Sequence, residues 1–215
     1  SLVGSEMCIR DSFPVGRINL LVKSAILHDI GALKLQQLPD AEDLDDGTKE
    51  VVKKNTQETL DRYGDLDEEV LRLITQMQEL YTRESDAEIP AGLKESVNAN
   101  ILYVADAYDR MTAMKSFEEP TSEVKAVREL LADEERYNKK IVNALIHGIS
   151  ILYPGVCVEL SNGEKGLVIT ENEDNIFEPT VLDFRNNNLY DLSDPSVKQT
   201  IEIADVMKTM DNRIK

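Results

Sequence analysis

The chain has 215 residues, of which 24 are basic and 41 acidic, so its formal net charge is −17. Hydrophobic residues make up 41% of it, which is enough to build a folded core and argues against a wholly disordered chain. The excess negative charge repels nucleic-acid phosphates and anionic membrane surfaces, so we expect neither as a primary partner.

The scarcity of cysteine and histidine limits the chemistry open to the chain. Its two cysteines, Cys8 and Cys157, cannot form a disulfide framework, which favours a reducing compartment, and we predict a cytoplasmic location. Only two histidines, His28 and His147, are available as metal ligands. No apolar run reaches the length of about 18 residues that a membrane-spanning helix needs.

Residues 1–12 (SLVGSEMCIRDS) show neither helical nor strand periodicity, and they lack the apolar stretch of a signal peptide. The string resembles translated read-through of a sequencing adapter. We therefore predict a non-native leader here and expect the natural chain to start upstream. The alternative is a flexible native terminus.

The first helical pattern begins at Ile18. Apolar residues recur at three- and four-residue steps through Ile30 and extend around the helix, which predicts a buried helix. Gly31 follows, and glycine readily adopts the left-handed conformation that closes a helix, so we expect the helix to end there. Residues 36–47 contain proline, glycine and five carboxylates and are predicted to form a loop.

The same periodicity predicts five further helices. They are expected over residues 48–63, 67–82, 96–115, 120–132 and 138–150. Thr48 is the predicted N-cap of the first, Gly64 ends it, and Val51 and Val52 are expected to face inward. Residues 83–95 are expected to form a loop. The acidic residues within 40–69 are interpreted as a solvated surface rather than a cation-attracting one.

After Pro154 the period of the pattern changes from 3.6 to 2, which predicts β-strands near 155–160, 165–171 and 178–184. Asn162-Gly163 predicts a hairpin turn with positive φ at both central residues. Residues 200–206 fit a strand or a helix. The predicted fold class is mainly α, a helical bundle followed by a small β-rich C-terminal module. The predicted boundaries are residues 1–12, 13–150 and 151–215.

His28 and Asp29 stand together at the predicted end of the first helix. A buried carboxylate or imidazole needs a partner, because it loses its hydration on burial. An imidazole nitrogen can bind one metal ion while the adjacent carboxylate bridges to a second, an arrangement that polarises water and phosphate together. A His-Asp pair occurs in many chains by chance, so its interpretation depends on the surrounding sequence.

Three segments share motifs with one known family. Residues 24–31 (SAILHDIG) resemble the metal-binding helix of the HD-GYP branch of HD-domain phosphohydrolases. Residues 101–112 (ILYVADAYDRMT) resemble the family's second signature, and residues 89–93 (IPAGL) match the segment that names it at three positions. The β-rich tail from residue 153 is similar to the tail found after some of these domains. The resemblance covers roughly residues 17–185.

The resemblance implies a helical bundle around a site of two or three metal ions, and hydrolysis of the bacterial messenger cyclic di-GMP. Position by position, it assigns His28, Asp29 and Asp106 as metal ligands. Asp109 lies three residues after Asp106 on the same helical face and is expected to act as a supporting acid. A divalent metal at this residual site is the only cofactor that we expect.

Several of the family's functional positions carry other residues here. The lysine expected after the His-Asp-Ile-Gly motif is replaced by Ala32, with Lys34 two residues later. The histidine expected on the next helix falls near Asn55, whose amide is a poor ligand for transition metals. The histidine pair expected within residues 75–82 is also missing. The candidates to replace it are Gln76, Gln78 and Tyr81.

The remaining reactive side chains have simpler interpretations. His147 lies near the end of the last predicted helix, where an imidazole interacts favourably with the helix C-terminus. Cys157 falls on a predicted strand with no histidine nearby in sequence, so we predict a packed thiol rather than a nucleophile. The sequence contains no glycine-rich phosphate loop and no Ser-His-Asp order.

Three hypotheses for function stay open. We favour a degenerate, non-catalytic HD-GYP-like module that regulates or senses, with a cyclic dinucleotide or a signalling protein as partner and a homodimer as one compatible state. The second is an active phosphohydrolase or cyclic di-GMP phosphodiesterase with rebuilt oxygen ligands. Its candidate ligands are Glu50, Glu58, Glu79 and Glu84. In the third, an upstream segment carries the function and this piece transmits its state.

Overall fold

The computed structural model describes residues 14–35, 45–82, 89–114 and 119–207. It divides into two compact units, which are treated separately below. The helical unit comprises the chain up to residue 110 with 114–119 and 133–141, and the sheet unit comprises the remainder. Each unit is formed by three separate segments of the chain. The domain boundary at residue 150 stays a prediction.

The helical unit is built mainly from amphipathic α-helices, as the periodicity predicts. The helices are α1 (Val15–Leu27), α2 (Asp46–Tyr63), α3 (Glu68–Thr82), α4 (Ala91–Glu95) and α5 (Val97–Thr112), with a 3-10 helix at Ile30–Lys34 after α1. Helix α4 lies in a segment that was expected to be a loop. Residues 83–88 of that predicted loop lie outside the described residues, as do residues 36–44 of the loop predicted at 36–47, whose last two residues belong to α2.

Helix α2 has its N-cap at Asp45 rather than at Thr48. The Asp45 carboxylate accepts hydrogen bonds from the Thr48 backbone N–H at 3.0 Å and from the Thr48 hydroxyl at 2.6 Å, so the acid satisfies the exposed helix end. The prediction that Gly64 ends α2 is confirmed, because Gly64 adopts the left-handed conformation with φ of 59°.

The prediction that α1 is buried on all sides is wrong. Val15, Ile18, Val22 and Ile26 are between 43% and 73% exposed, and Ser24 is the one fully buried residue of the helix. The opposite side of α1 packs against a core cluster in the helical unit. Its members are Leu60, Val70 and Ile74, with Leu20, Leu27, Ile30, Leu66 and Leu71 packed around them. The apolar residues of α1 therefore form one packed face and one exposed face.

Helix α3 supplies the centre of this core, as its sequence pattern predicts. The buried apolar residues of α3 are Val70, Leu73, Ile74, Met77 and Leu80. On α2 the expected inward position of Val52 is confirmed, but Val51 is 47% exposed. Thr56 occupies the buried position one turn after Val52, where its hydroxyl accepts the Gly31 backbone N–H at 3.0 Å.

Gly31 serves a different purpose from the one predicted. Helix α1 ends at Leu27, and Gly31 lies inside the following 3-10 helix without a positive φ. A Cβ at this position would lie 2.3 Å from the Val52 carbonyl oxygen and 2.4 Å from the Thr56 nitrogen. Gly31 is therefore required because the 3-10 helix approaches the backbone of α2 too closely for any side chain.

The buried Tyr103 of α5 stacks on Tyr137, with ring centroids 5.4 Å apart, and its hydroxyl accepts a hydrogen bond from Arg136 Nε at 2.8 Å. Burial raises the pKa of Tyr137 to about 12, Tyr103 adds to the effect, and the arginines Arg136 and Arg110 oppose it.

We expect Tyr137 to ionise near pH 12, about two units above an exposed tyrosine. Because the folded-state pKa is the higher one, the stabilisation by neutral Tyr137 is complete below pH 10 and is lost as the pH rises through 12. Ultraviolet titration of tyrosinate should show a late component that Tyr137→Phe removes. If Tyr137→Phe instead removed a component near pH 10, Tyr137 would not be shielded from water in the folded protein.

The sheet unit contains α6 (Glu123–Ala132), most of α7 (Lys139–Ile149), a short helix α8 (Pro195–Lys198) and five antiparallel strands. The strands are β1 (Cys157–Leu160), β2 (Lys165–Thr170), β3 (Thr180–Asp183), β4 (Leu189–Asp191) and β5 (Ile203–Val206). Their order in the sheet is β4-β3-β2-β1-β5. The three predicted strands are confirmed, and residues 203–206 form a strand.

The β1–β2 turn differs in detail from its prediction. Gly163 has a φ of 80°, but Asn162 does not have a positive φ. The Asn162 side chain instead accepts a hydrogen bond from the Glu164 backbone N–H at 3.0 Å, which fixes the turn without the left-handed conformation.

Among the described residues, no helix combines the length and the apolar character needed to cross a bilayer.

Candidate functional site

Two of the predicted site residues, His28 and Asp106, lie where three elements of the helical unit meet. His28 follows the last residue of α1, and its backbone N–H donates to the Ser24 carbonyl. Gln78 of α3 donates its side-chain N–H to the His28 carbonyl oxygen at 2.9 Å, which satisfies an end of α1. Helix α5 contributes Asp106 to the same place.

Both ring nitrogens of His28 face hydrogen-bond acceptors. Nε2 lies 3.3 Å from Asp106 Oδ1, and Nδ1 lies 2.8 Å from the Ala25 carbonyl oxygen. Burial lowers the pKa of His28, but the hydrogen bond and charge of Asp106, aided by Asp29 and Ala25, outweigh burial and raise it above 6.5. The protonated ring is the form that satisfies both acceptors.

The second carboxylate oxygen of Asp106 is held by Arg110. Arg110 Nε lies 2.9 Å from Asp106 Oδ2, four residues further along α5, and the two side chains are 28% and 18% exposed. An acid placed four residues before a base is the favourable order for a helical ion pair. Asp106 therefore has one cationic partner on each oxygen, His28 on one side and Arg110 on the other.

The guanidinium of Arg110 also packs on an aromatic ring from α3. Its Cζ lies 4.5 Å from the ring centroid of Tyr81, and Lys49 Nζ of α2 lies 5.6 Å from the same centroid. Cations are attracted to the electron-rich face of an aromatic ring, and this fixes the direction of the guanidinium. Tyr81 was a candidate to replace a lost histidine ligand, but its contacts here are with cations.

Asp29 does not converge with Asp106. Its Oδ1 lies 4.0 Å from Nδ1 of His28, the nitrogen turned away from Asp106, and its side chain is 64% exposed. Asp109 is exposed on α5. The structure thus brings two of the three predicted ligands, His28 and Asp106, into contact and leaves Asp29 at the rim.

Asn55 makes hydrogen bonds with the 3-10 helix and within α2. Its side-chain amide donates to the Gly31 carbonyl oxygen at 3.4 Å. Its backbone carbonyl accepts from Lys34 Nζ at 3.3 Å and from the Thr59 hydroxyl at 2.6 Å. Lys34, which follows the motif two residues late, is therefore engaged with α2.

Three of the other proposed replacement ligands have partners elsewhere. Gln76 accepts from the Ser96 hydroxyl at 2.8 Å. Glu50 pairs with Lys53 at 3.6 Å, and Glu58 pairs with Lys34 at 3.8 Å. Glu79 is exposed on α3, and Glu84 lies outside the described residues. These contacts give no support to a rebuilt ligand set.

The described donors do not fit a divalent metal. Across residues 14–35, 45–82, 89–114 and 119–207, no three His, Cys, Asp or Glu side chains are grouped so that they could hold one. A metal would need a free lone pair on His28 and the charge of Asp106, but the imidazole faces two acceptors and Arg110 already neutralises the carboxylate. The expected residual metal site is not supported by this arrangement.

Arg110 is the site residue that motif reasoning missed. It lies inside the segment 101–112 that carries the second signature, and its spacing from Asp106 was visible in the sequence. The remaining two candidates fall outside the cluster: His147 is exposed near the end of α7, and Cys157 is a half-buried free thiol at the start of β1.

Comparison with known families supports the resemblance at its coarser level. The HD domain family matches residues 5–111, a range that includes His28, Asp29 and Asp106. The match supports assignment of this part of the chain to the HD-domain phosphohydrolase superfamily. The match begins within the predicted leader, whose non-native origin stays a prediction. No curated protein and no solved structure matches the chain significantly.

Proposed function

We propose that the chain is a degenerate HD-GYP-like module that has lost catalysis and acts as a regulatory or ligand-sensing domain in bacterial cyclic-dinucleotide signalling. The observation that carries the proposal is the pairing of Asp106 with two cations, His28 on one oxygen and Arg110 on the other. The family match supports the ancestry, and the missing histidines support the loss of hydrolysis.

Hydrolysis of a phosphodiester by this superfamily's chemistry depends on metal ions that activate water and neutralise charge on the phosphate. A divalent metal bound by His28 and Asp106 would supply that chemistry only if both side chains presented free donor atoms. In this chain Asp106 holds His28 and Arg110 as an ion-paired cluster, so the same residues join the end of α1 to α5.

An active metal-dependent phosphohydrolase with altered ligands is the second candidate. It is favoured by the superfamily match and by the retained His28, Asp29 and Asp106. This function would require the Asp106–Arg110 ion pair to open when metal binds, with ligands drawn from the acidic side chains of α2 and α3.

Cyclic di-GMP separates the two candidates. The purified protein is incubated with cyclic di-GMP and Mn²⁺, turnover is followed by chromatography of the linear dinucleotide, and binding is measured by calorimetry. We expect no linear product, and binding without turnover would support a sensor. Linear product that disappears in Asp106→Asn would overturn the non-catalytic proposal. If the protein neither binds nor hydrolyses cyclic di-GMP, the nucleotide is not the sensed partner, and a signalling protein takes its place in the proposal.

A further inference from the structure

We propose that Arg110 acts as a resident cation that keeps divalent metals away from the His28–Asp106 pair, so that removing its charge raises the affinity of the pair for such an ion. This inference deepens the proposed function and rests on it only in taking the native pair to be free of metal. It attributes part of the loss of metal binding to Arg110, in addition to the histidines that the sequence lacks.

The charge of Asp106 is already balanced in the native chain. Asp106 and Arg110 carry opposite unit charges and lie 2.9 Å apart, so together they present no net charge to an approaching ion. A divalent ion that replaced the guanidinium would gain the charge of Asp106 but would also have to push Arg110 aside. Two cations so close together repel strongly in a partly buried environment.

The position of the guanidinium adds to the effect of its charge. Arg110 occupies Oδ2 of Asp106 while His28 occupies Oδ1, so both oxygens that a metal would share are engaged. Contact with the Tyr81 ring at 4.5 Å holds the guanidinium on the α3 side of the pair. The arginine is thus fixed by an ion pair and by a cation–π contact at once.

A second cation, Lys49, contacts the same aromatic ring. Lys49 Nζ lies 5.6 Å from the Tyr81 ring centroid, and its side chain is only 14% exposed. Asp46 pairs with it at 3.3 Å, so Lys49 has its own anion and leaves Asp106 to Arg110. Arg110 is therefore the cation whose loss leaves Oδ2 of Asp106 open to a metal ion, while His28 stays on Oδ1.

The test is a Zn²⁺ titration by calorimetry on the full chain and its variants. Arg110→Met removes the charge, and Arg110→Gln removes the charge but keeps a hydrogen-bond donor, so one variant remains informative if the other does not fold. Both are expected to bind Zn²⁺ at least ~10-fold more tightly than the native protein. Circular dichroism establishes that each variant is folded.

Three matched variants locate the effect. Arg110→Lys keeps the charge and should bind Zn²⁺ like the native protein, as should Arg62→Met, which removes one exposed positive charge from α2. The double variant Arg110→Met/His28→Ala should lose the gain. Equal affinity in the native protein and in a folded Arg110 variant, or an equal gain in Arg62→Met, would overturn the proposal. Failure of the proposed function would appear separately, as cyclic di-GMP turnover by the native protein.

Discussion

Gly31→Ala is expected to lower the free energy of unfolding by about 3 kcal/mol or more. The added Cβ would lie 2.3 Å from the Val52 carbonyl oxygen and 2.6 Å from the Thr56 hydroxyl, distances that require the backbone of α2 or of the 3-10 helix to move. Movement would also break the hydrogen bond from Gly31 to Thr56. Urea unfolding followed by circular dichroism measures the loss.

Gly16→Ala is the matched control for this substitution. Gly16 lies in α1 of the same unit, and a Cβ there would meet no atom within 4 Å. Because alanine favours a helix over glycine, we expect the control to be neutral or to add up to about 1 kcal/mol. If Gly31→Ala and Gly16→Ala behaved alike, the close approach of the 3-10 helix to α2 would be refuted.

Asp106→Ala is expected to destabilise the helical unit by about 2 kcal/mol. The substitution leaves the imidazole of His28 and the guanidinium of Arg110 without the anion between them, in positions that are 19% and 28% exposed. Partial exposure to water lowers the cost below that of a fully buried pair. Urea unfolding with and without a chelator measures the effect.

The chelator distinguishes a structural role from a metal-binding one. If the cluster is held by ion pairs, the chelator changes neither the native stability nor the loss caused by Asp106→Ala. Asp109→Ala serves as the control, because Asp109 is exposed on the same helix and its removal should change stability by less than about 0.5 kcal/mol. Destabilisation of the native protein by the chelator would show that a bound metal contributes to the fold.

The helices and strands could be predicted because their apolar periods are strong, as in α3 and in β1 to β3. The burial of α1 could not. Its apolar residues surround the helix, and periodicity alone does not reveal that Val15 and Ile26 lack a covering element in the described chain. The role of Gly31 was also out of reach, because it depends on the distance of closest approach between two backbones.

The candidate site was likewise predictable from the sequence only in part. The two signatures predicted His28 and Asp106 as ligands of one metal site. The structure places the two side chains 3.3 Å apart as an ion pair, and their role as ligands stays a prediction. The sequence could not show that Asp29 turns toward solvent, since adjacent residues at a helix end project in different directions. Arg110 was visible at the i+4 position, but family motifs direct attention to ligands rather than to the cations that replace a metal.

Metal content of the native protein tests the central claim most directly. The purified protein is saturated with Mn²⁺ or Zn²⁺ and desalted, and its metal is then measured by mass spectrometry beside His28→Ala. If Asp106 is neutralised by His28 and Arg110, the native protein retains far less than one metal per chain. Replacing His28 with alanine then does not lower the metal content further. About two metals per chain that depend on His28 would contradict the account.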